Sequence, residues 1–203
     1  MRPTLRRILA FLGLAAAAAY SVSALAAPAP PATQSASVTW GSDLTGDPVP
    51  IRGTWREDSE FWNKGVHAPA SGTITKFRLK TGDTPVTIPI RFSVVRPVAG
   101  GKVKVITTTN PPYTVKAHDT GVHTYKTSAL SFRCCKVRKG DIVAVDNRGA
   151  NTVSDPYWWF AKKPGKTAYS HMVRGVSQDF GQIWTRKAHA GYEVLLQVVE
   201  TKG

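Results

Sequence analysis

Beyond residue 37, apolar and polar side chains alternate with a period of two in several short segments. Phe77 and Leu79 share a face with Thr73 and Thr75 and alternate with basic residues, and similar alternation recurs at 87–94 and 102–105. This period is typical of antiparallel strands that are buried on one face. Two later segments, 142–145 and 192–199, carry apolar residues on both faces and predict central strands of a sandwich.

Shorter segments complete an all-β pattern. Further strands are predicted at 37–40, 114–118, 123–127, 131–137, 157–160, 166–172 and 182–186, separated by turns rich in Gly, Pro, Asn and Asp, among them Pro164-Gly165. One or two helical turns after Ser59, ended by Gly65, are the best helix candidate. About ten short strands predict an all-β, antiparallel β-sandwich of jelly-roll type, with a barrel as the alternative.

The first 26 residues have the pattern of a secretory signal peptide. Three arginines precede an apolar run at 8–19, and Ala24-Leu25-Ala26 is typical of a cleavage site. The apolar run is shorter than the about 20 residues that cross a bilayer, which argues against an uncleaved anchor. The Ala-rich run and short basic start are typical of bacteria, and the Arg6-Arg7 pair leaves the general and twin-arginine export routes open. We therefore expect a secreted, extracellular protein.

Residues 27–37 are rich in Ala, Pro and Ser and predict a disordered, extended linker. A single sandwich domain is then expected at 38–203. The chain of 203 residues has a formal charge of +14, and removal of the signal peptide takes away three arginines and no acidic residue, which leaves +11. This charge predicts an anionic partner without naming one.

Three segments, at 68–79, 90–97 and 137–145, resemble segments of secreted bacterial β-sandwich proteins, especially uncharacterised ones from actinobacteria. The pattern is a strand that starts from a turn, a strand that ends in Arg-Pro, and a Lys-Gly-Asp turn that opens a core strand. The resemblance covers about residues 66–146. It implies a jelly-roll-like fold and export, and it carries no catalytic residue to this chain.

The segment 155–160 places four aromatic residues in a row. On a strand, Trp158 and Trp159 point to opposite faces, so one of them is expected to face outward, where an indole can stack on a sugar ring or another protein. Tyr157, Trp158 and Trp159 are therefore candidate ligand-binding residues. The alternative is that both faces of this strand are covered and that the aromatic residues only pack.

Cys134 and Cys135 are the two cysteines of the chain, and they are adjacent. Neighbouring Cα atoms lie about 3.8 Å apart, below the usual disulfide range. In an oxidising compartment three states remain open: a vicinal disulfide, two free thiols, or pairing with another chain. The vicinal disulfide is the candidate site, and the alternative is one buried and one partly exposed thiol that pack as small apolar groups.

Basic residues follow the predicted strands instead of forming one tail. Lys76, Arg78 and Lys80 share a strand face and are candidate ligand-binding residues. Two further groups are Lys102 with Lys104, and Arg133 with Lys136, Arg138 and Lys139. If these strands were neighbours, they would form a basic sheet face that binds anionic polymers with salt-sensitive affinity. The alternative is that the lysines only provide solubility and protect strand edges.

Other chemistry has less support in the sequence. His118, Asp119 and His123 flank a hairpin turn and would make only a weak metal site. The acidic cluster at residues 57–60 matches no calcium loop and is interpreted as a solvated face or a short helix start. The sequence has no Gly-x-Ser-x-Gly elbow, phosphate-binding loop or His-Glu-x-x-His motif. We therefore assign no catalytic residue, no metal and no cofactor.

Together these patterns favour a secreted, non-catalytic β-sandwich protein that binds an extracellular glycan or anionic polymer. A glycan-active hydrolase or lyase on the same fold is one alternative, with acids such as Glu57, Asp58 or Asp155 lining an aromatic groove. A structural or self-associating envelope protein is the other. No sequence-specific nucleic-acid binding and no membrane span after signal removal are expected, and the sequence leaves the oligomeric state open.

Overall fold

A computed structural model describes most of the predicted sandwich domain. The described residues are 36–51, 59–129, 134–146, 157–172, 183–185 and 187–202. They all belong to one compact unit, Gln34–Gly203. The predicted signal peptide and all but the last two residues of the predicted linker lie outside the described residues.

Fourteen strands and two single 3-10 turns occur in these ranges, and no α-helix does. The strands are β1 (Ser37–Gly41), β2 (Pro48–Ile51), β3 (Ser59–Asn63), β4 (Gly72–Thr81), β5 (Ile88–Val98), β6 (Lys102–Thr108), β7 (Tyr113–Val115), β8 (Gly121–Lys126), β9 (Lys136–Val137), β10 (Ile142–Asp146), β11 (Tyr157–Met172), β12 (Ile183–Thr185), β13 (Lys187–Val194) and β14 (Leu196–Lys202). The 3-10 turns are Ala99–Gly101 and Thr127–Ala129.

The strands form two antiparallel sheets. The small sheet has the order β1-β14-β4-β8, with β9 also paired to β4. The large sheet has the order β12-β6-β5-β10-β3-β11-β13, with β2 paired to β11 and β7 paired to β5. Every strand pair in the described ranges is antiparallel. The predicted all-β, antiparallel sandwich is confirmed.

The main core lies between the two sheets. Phe77 of the small sheet stacks on Phe92 of the large sheet, with ring centroids 4.4 Å apart and an interplanar angle of 7°. Phe61 meets Phe160 edge-on at 5.1 Å. All four side chains are fully buried. The contact between Phe77 and Phe92 defines the inner face of β4. Because successive side chains point to opposite faces of a strand, the residues on either side of Phe77 lie on the outer face.

The large sheet is buried on both faces. Val94 belongs to the main core, whereas its neighbour Val95 belongs to a second apolar cluster on the opposite face. The second cluster consists of Trp62, Val95, Val103, Val105, Ile142, Ala144 and Tyr169. Two-sided burial explains why the segment 142–145 is apolar at every position, as predicted for a central strand.

A bulge in β4 changes the predicted alternation. Val199 of β14 pairs with Lys76, but the next residue, Glu200, pairs with Ile74, so Thr75 is the extra residue. Ile74 is therefore buried and Thr73 is exposed. The prediction that Thr73 and Thr75 share the face of Phe77 is wrong, because it assumed an uninterrupted period of two.

The segment 192–199 belongs to two strands instead of one. β13 pairs with β11 in the large sheet, whereas β14 pairs with β1 and β4 in the small sheet, and Leu195 lies between them. Leu195 is fully buried. The apolar residues at 194–196 thus mark the place where the chain crosses from one sheet to the other. A central strand in a single sheet would show the same pattern in the sequence.

Two other sequence predictions are wrong. The helix expected after Ser59 is strand β3, which is central in the large sheet, and Gly65 lies in the turn that follows. The strands expected at 157–160 and 166–172 are one continuous strand, β11, which has an irregularity between Lys162 and Thr167. The Pro164-Gly165 signal therefore marks an irregularity within one strand and not a turn between two strands.

Candidate functional site

The aromatic segment mostly faces the core. Trp159 and Phe160 are adjacent and both are fully buried, since the pairing of β11 with β2 is irregular between Tyr157 and Phe160. Trp158 is half-buried, its ring lies against Gly82, and its Nε1 atom is shielded from solvent. The side chain of Tyr157 lies outside the described residues. Trp159 cannot stack on a ligand, and Trp158 presents only part of one ring.

The basic stripes predicted from the sequence lie in different sheets. Lys76, Arg78 and Lys80 lie on the outer face of β4 in the small sheet, whereas Lys102 and Lys104 belong to β6 in the large sheet. The single basic face that neighbouring strands would have made is therefore not formed. The group at 136–139 lies beside the start of β4, because β9 pairs with that strand. Arg133, of the same group, lies outside the described residues.

A cleft of about 550 Å³ lies between the amino end of β4 and the end of β5. Three of its lining residues are basic: Arg96, Lys136 and Arg138. The other lining residues are Ser71, Gly72, Thr73, Ile106 and Val137. Lys104 is directly opposite Arg96 in the β5–β6 ladder, so the two side chains leave the same face of the sheet. Arg96 belongs to the large sheet and Lys136 to the small sheet, so the cleft gathers cations from both sheets.

Arg96 is held in a bidentate ion pair at the wall of the cleft. Its Nε and Nη2 atoms donate to the two carboxylate oxygens of Asp141 at 2.7 and 2.8 Å. The Asp141 side chain is 1% exposed and the Arg96 side chain 31%. The hydrogen bonds to Asp141 raise the pKa of Arg96 and keep it charged. The pair is neutral as a whole and does not use Nη1, so the net positive charge of the cleft comes from Lys136 and Arg138.

The turn before β10 is fixed by its own hydrogen bonds. The Arg138 backbone N–H donates to a carboxylate oxygen of Asp141 at 2.8 Å. The Gly140 N–H donates to the Ala68 carbonyl at 2.9 Å, and the Ala68 N–H donates to the Asp141 carbonyl at 2.7 Å. Gly140 has a φ of +90°, a backbone conformation that residues other than glycine rarely adopt. One buried carboxylate therefore positions Arg96 through its side chain and Arg138 through its backbone.

A disulfide joins Cys134 to Cys135 immediately before β9. The two residues form a turn and not the strand predicted there. Cys135 is fully buried, has a φ of +89°, and its carbonyl accepts a hydrogen bond from the Ile74 N–H at 2.9 Å. With this bond formed, neither sulfur atom is a free thiol. The turn leads directly to Lys136 at the cleft.

The exposed acidic side chains that the structure describes lie away from the cleft. Among the nine that the structure describes, five are buried: Glu60, Asp141, Asp146, Glu193 and Glu200. The four exposed ones are Asp43, Asp47, Asp83 and Asp119. They are in loops near the carboxyl end of β4, where Asp47 lies 3.9 Å from Lys80 and the Asp119 carbonyl accepts from Thr81. The cleft is at the amino end of the same strand, so the described surface changes from basic to acidic along β4.

The two histidines of the predicted metal site contact side chains at the carboxyl end of β4 and in the loop after it. His118 Nδ1 lies 2.7 Å from a carboxylate oxygen of Asp83, and His123 Nε2 lies 2.9 Å from the hydroxyl of Thr81. Asp119 is 3.8 Å from the other ring nitrogen of His123. In the described ranges no group of three or more potential metal ligands occurs.

The acidic cluster is only partly described. Glu60 is fully buried in β3, where its carboxylate accepts a hydrogen bond from Ser93 and where it pairs in register with Asp146. The interpretation of Glu60 as a solvated or helix-start residue is therefore wrong. Glu57, Asp58 and Asp155, the acids named for a hydrolase, lie outside the described residues.

Sequence reasoning did not select Arg96 and Asp141 as site residues. The Arg-Pro end of one segment and the Lys-Gly-Asp turn of another were both visible, but a separation of 45 residues gives no signal that the two side chains pair.

No protein-family model and no curated protein matches the chain. Across the part of the chain that the structure describes, no helix is both long and apolar enough to cross a membrane.

Proposed function

We propose that this chain is a secreted, non-catalytic β-sandwich protein that binds an extracellular glycan or other anionic polymer in the basic cleft. The observation that carries the proposal is that Lys136 and Arg138 line one cleft beside Arg96, whose charge is balanced by the buried carboxylate of Asp141. Export rests on the predicted signal peptide at residues 1–26.

The chemistry of the lining supports an anionic ligand. Guanidinium groups bind carboxylate, sulfate and phosphate oxygens through paired N–H donors, and a lysine ammonium adds a point charge. A volume of about 550 Å³ is in the range of ligand clefts. Among the described residues that line the cleft there is no Asp, Glu, His or Cys, the residue types that most often act as general acid, base or nucleophile. Binding is therefore better supported than hydrolysis.

Salt-dependent retention tests this function. The purified protein is loaded on immobilised polygalacturonate, on immobilised polyphosphate and on a neutral dextran matrix, and is eluted with NaCl. We expect retention on the anionic matrices at about 0.05 M salt, elution before about 1 M as the Debye length shrinks to about 3 Å, and no retention on dextran. No retention on either anionic matrix at low salt would contradict the proposal.

A further inference from the structure

The outer face of β4 carries a regular row of cations. Lys76, Arg78 and Lys80 alternate with the buried residues Phe77 and Leu79, so the three basic side chains leave the same face. Residues two apart on a strand are about 6.7 Å apart along it. The row is therefore a linear array of charge with a constant spacing.

A fourth cation stands directly beside this row. Lys126 of β8 is opposite Lys76 in register. Like charges in this position lie about 5 Å apart at Cβ and destabilise a sheet. Neither lysine forms an ion pair with any residue that the structure describes. An unneutralised pair of this kind is stabilised when an anion binds between the two ammonium groups.

The row starts at the cleft. Lys136 pairs in register with Thr73, an exposed residue at the amino end of β4 that also lines the cleft. From Thr73 to Lys80 the strand spans about 23 Å at the usual rise per residue. The cations of the cleft and of the β4 face thus follow one another along a single strand.

The other end of the row is closed by acidic residues. Lys80 is followed by the loop that holds Asp83, and its ammonium group lies 3.9 Å from Asp47. Arg78, in the middle of the row, has a neutral partner, since its Nη1 donates to Gln197 Oε1 at 2.7 Å. An anionic chain on this face is therefore attracted up to Lys80 and repelled beyond it.

We infer that the ligand of the cleft is a linear polyanion that continues from the cleft along β4, over Lys126, Lys76 and Arg78, and ends near Lys80. This inference rests on the proposed function and names the shape of its ligand. A short anion fills only the cleft, whereas a chain longer than about 20 Å also reaches the row. The shared chemistry is repeated carboxylate or phosphate groups on one flexible chain.

The test compares ligand lengths in two chemical series. Binding to oligogalacturonates of two and ten residues, and to polyphosphates of two and ten phosphates, is measured by calorimetry. The long member of either series should bind at least about 10-fold more tightly than the short one, since additional contacts on one chain act together. Tight binding by only the carboxylate series or only the phosphate series identifies the anionic group.

A double variant separates the row from the cleft. The Lys76→Gln, Lys126→Gln protein should bind the decamer about 10-fold more weakly than wild type, with a salt slope reduced by about 2, and should bind the dimer unchanged. The matched control, Lys116→Gln with Lys166→Gln, removes two exposed lysines elsewhere. A thermal unfolding midpoint no lower than that of wild type verifies that each variant is folded, and loss of the repulsion between Lys76 and Lys126 should raise it slightly.

The outcomes distinguish the two claims. If the dimer and the decamer bind wild type equally well, or if loss of Lys76 and Lys126 leaves decamer binding at the level of the control, the extended track is wrong while binding in the cleft stands. If neither length binds in either series, the proposed function fails and the track fails with it.

Discussion

Arg96 and Asp141 join two of the three sequence segments that line the cleft. Arg96 lies near the end of β5, and Asp141 lies in the turn before β10. The Arg96 guanidinium donates hydrogen bonds to both carboxylate oxygens of Asp141, at 2.7 and 2.8 Å. The same turn is hydrogen-bonded to Ala68. The segments at 68–79, 90–97 and 137–145 therefore meet at one buried carboxylate, which shapes the cleft without adding free negative charge to it.

Loss of the Asp141 carboxylate should destabilise the fold. In Asp141→Asn, one strong acceptor of Arg96 and of the Arg138 N–H is replaced by a neutral amide in a site that is 1% exposed. We expect the free energy of unfolding to fall by about 2–4 kcal/mol, at the lower end because Arg96 is partly solvated. Arg96→Lys keeps the charge but loses the bidentate geometry and should cost about 1–2 kcal/mol. Urea unfolding that shows both variants at wild-type stability would refute this role.

The stacked pair Phe77 and Phe92 should dominate the core between the sheets. Because both rings are fully buried, Phe77→Ala should lower the free energy of unfolding by about 3–5 kcal/mol. Phe77→Leu, which leaves a smaller cavity, should cost less. Val122→Thr, at a side chain that is 43% exposed, serves as the control and should stay within about 0.5 kcal/mol of wild type. Equal effects of Phe77→Ala and Val122→Thr would contradict the packing described.

Stability should fall in mild acid through His189. Burial, with a smaller effect of Lys187, lowers the pKa of His189 to about 4, whereas an unfolded histidine has a pKa of about 6.5. Between these values the unfolded chain binds a proton that the folded chain does not. The contribution of His189 is therefore complete above about pH 6.5 and is lost as the pH falls towards 4. Unfolding midpoints at pH 7.5 and 4.5 should differ less for His189→Gln than for wild type, and equal differences would exclude His189 as the cause.

The disulfide should be detectable without a structure. Denatured but unreduced protein should have a mass about 2 Da below that of the reduced protein, because a bond between Cys134 and Cys135 removes two hydrogen atoms. The measurement is intact mass spectrometry before and after treatment with a thiol reductant. A mass equal to that of the reduced chain, or a disulfide-linked dimer, would contradict the bond within one chain.

The fold was predictable where one side of a strand is buried and the other is not. Residues 76–80 of β4 alternate as expected, because Phe77 and Leu79 enter the core and Arg78 does not. The bulge at Thr75 and the crossing at Leu195 were not predictable, because each depends on the register of a partner strand distant in sequence. The helix expected after Ser59 failed for a similar reason, since two-sided burial in the large sheet hides the period of a strand.

The site was predictable in its chemistry but not in its assembly. The basic residues and the adjacent cysteines were visible in the sequence, but which stripes adjoin depends on strand order. The cleft combines Arg96 from one sheet with Lys136 and Arg138 beside the other. Trp159 lies in a row of aromatic residues, which favours a ligand-binding role. The irregular pairing of β11 with β2 instead places its side chain in the core.

The most direct test of polyanion binding in the cleft is the affinity of a cleft variant for a polyanion. Lys136→Gln with Arg138→Gln removes two charges from the cleft lining, and Lys116→Gln with Lys166→Gln removes two from exposed positions elsewhere. Binding of both proteins and of wild type to polygalacturonate and polyphosphate is measured by calorimetry at about 0.05 M salt. We predict that the cleft variant binds at least about 10-fold more weakly than wild type and that the control stays within about 2-fold of it. Equal losses in the two variants would show that binding reports only net charge, and would contradict a site in the cleft.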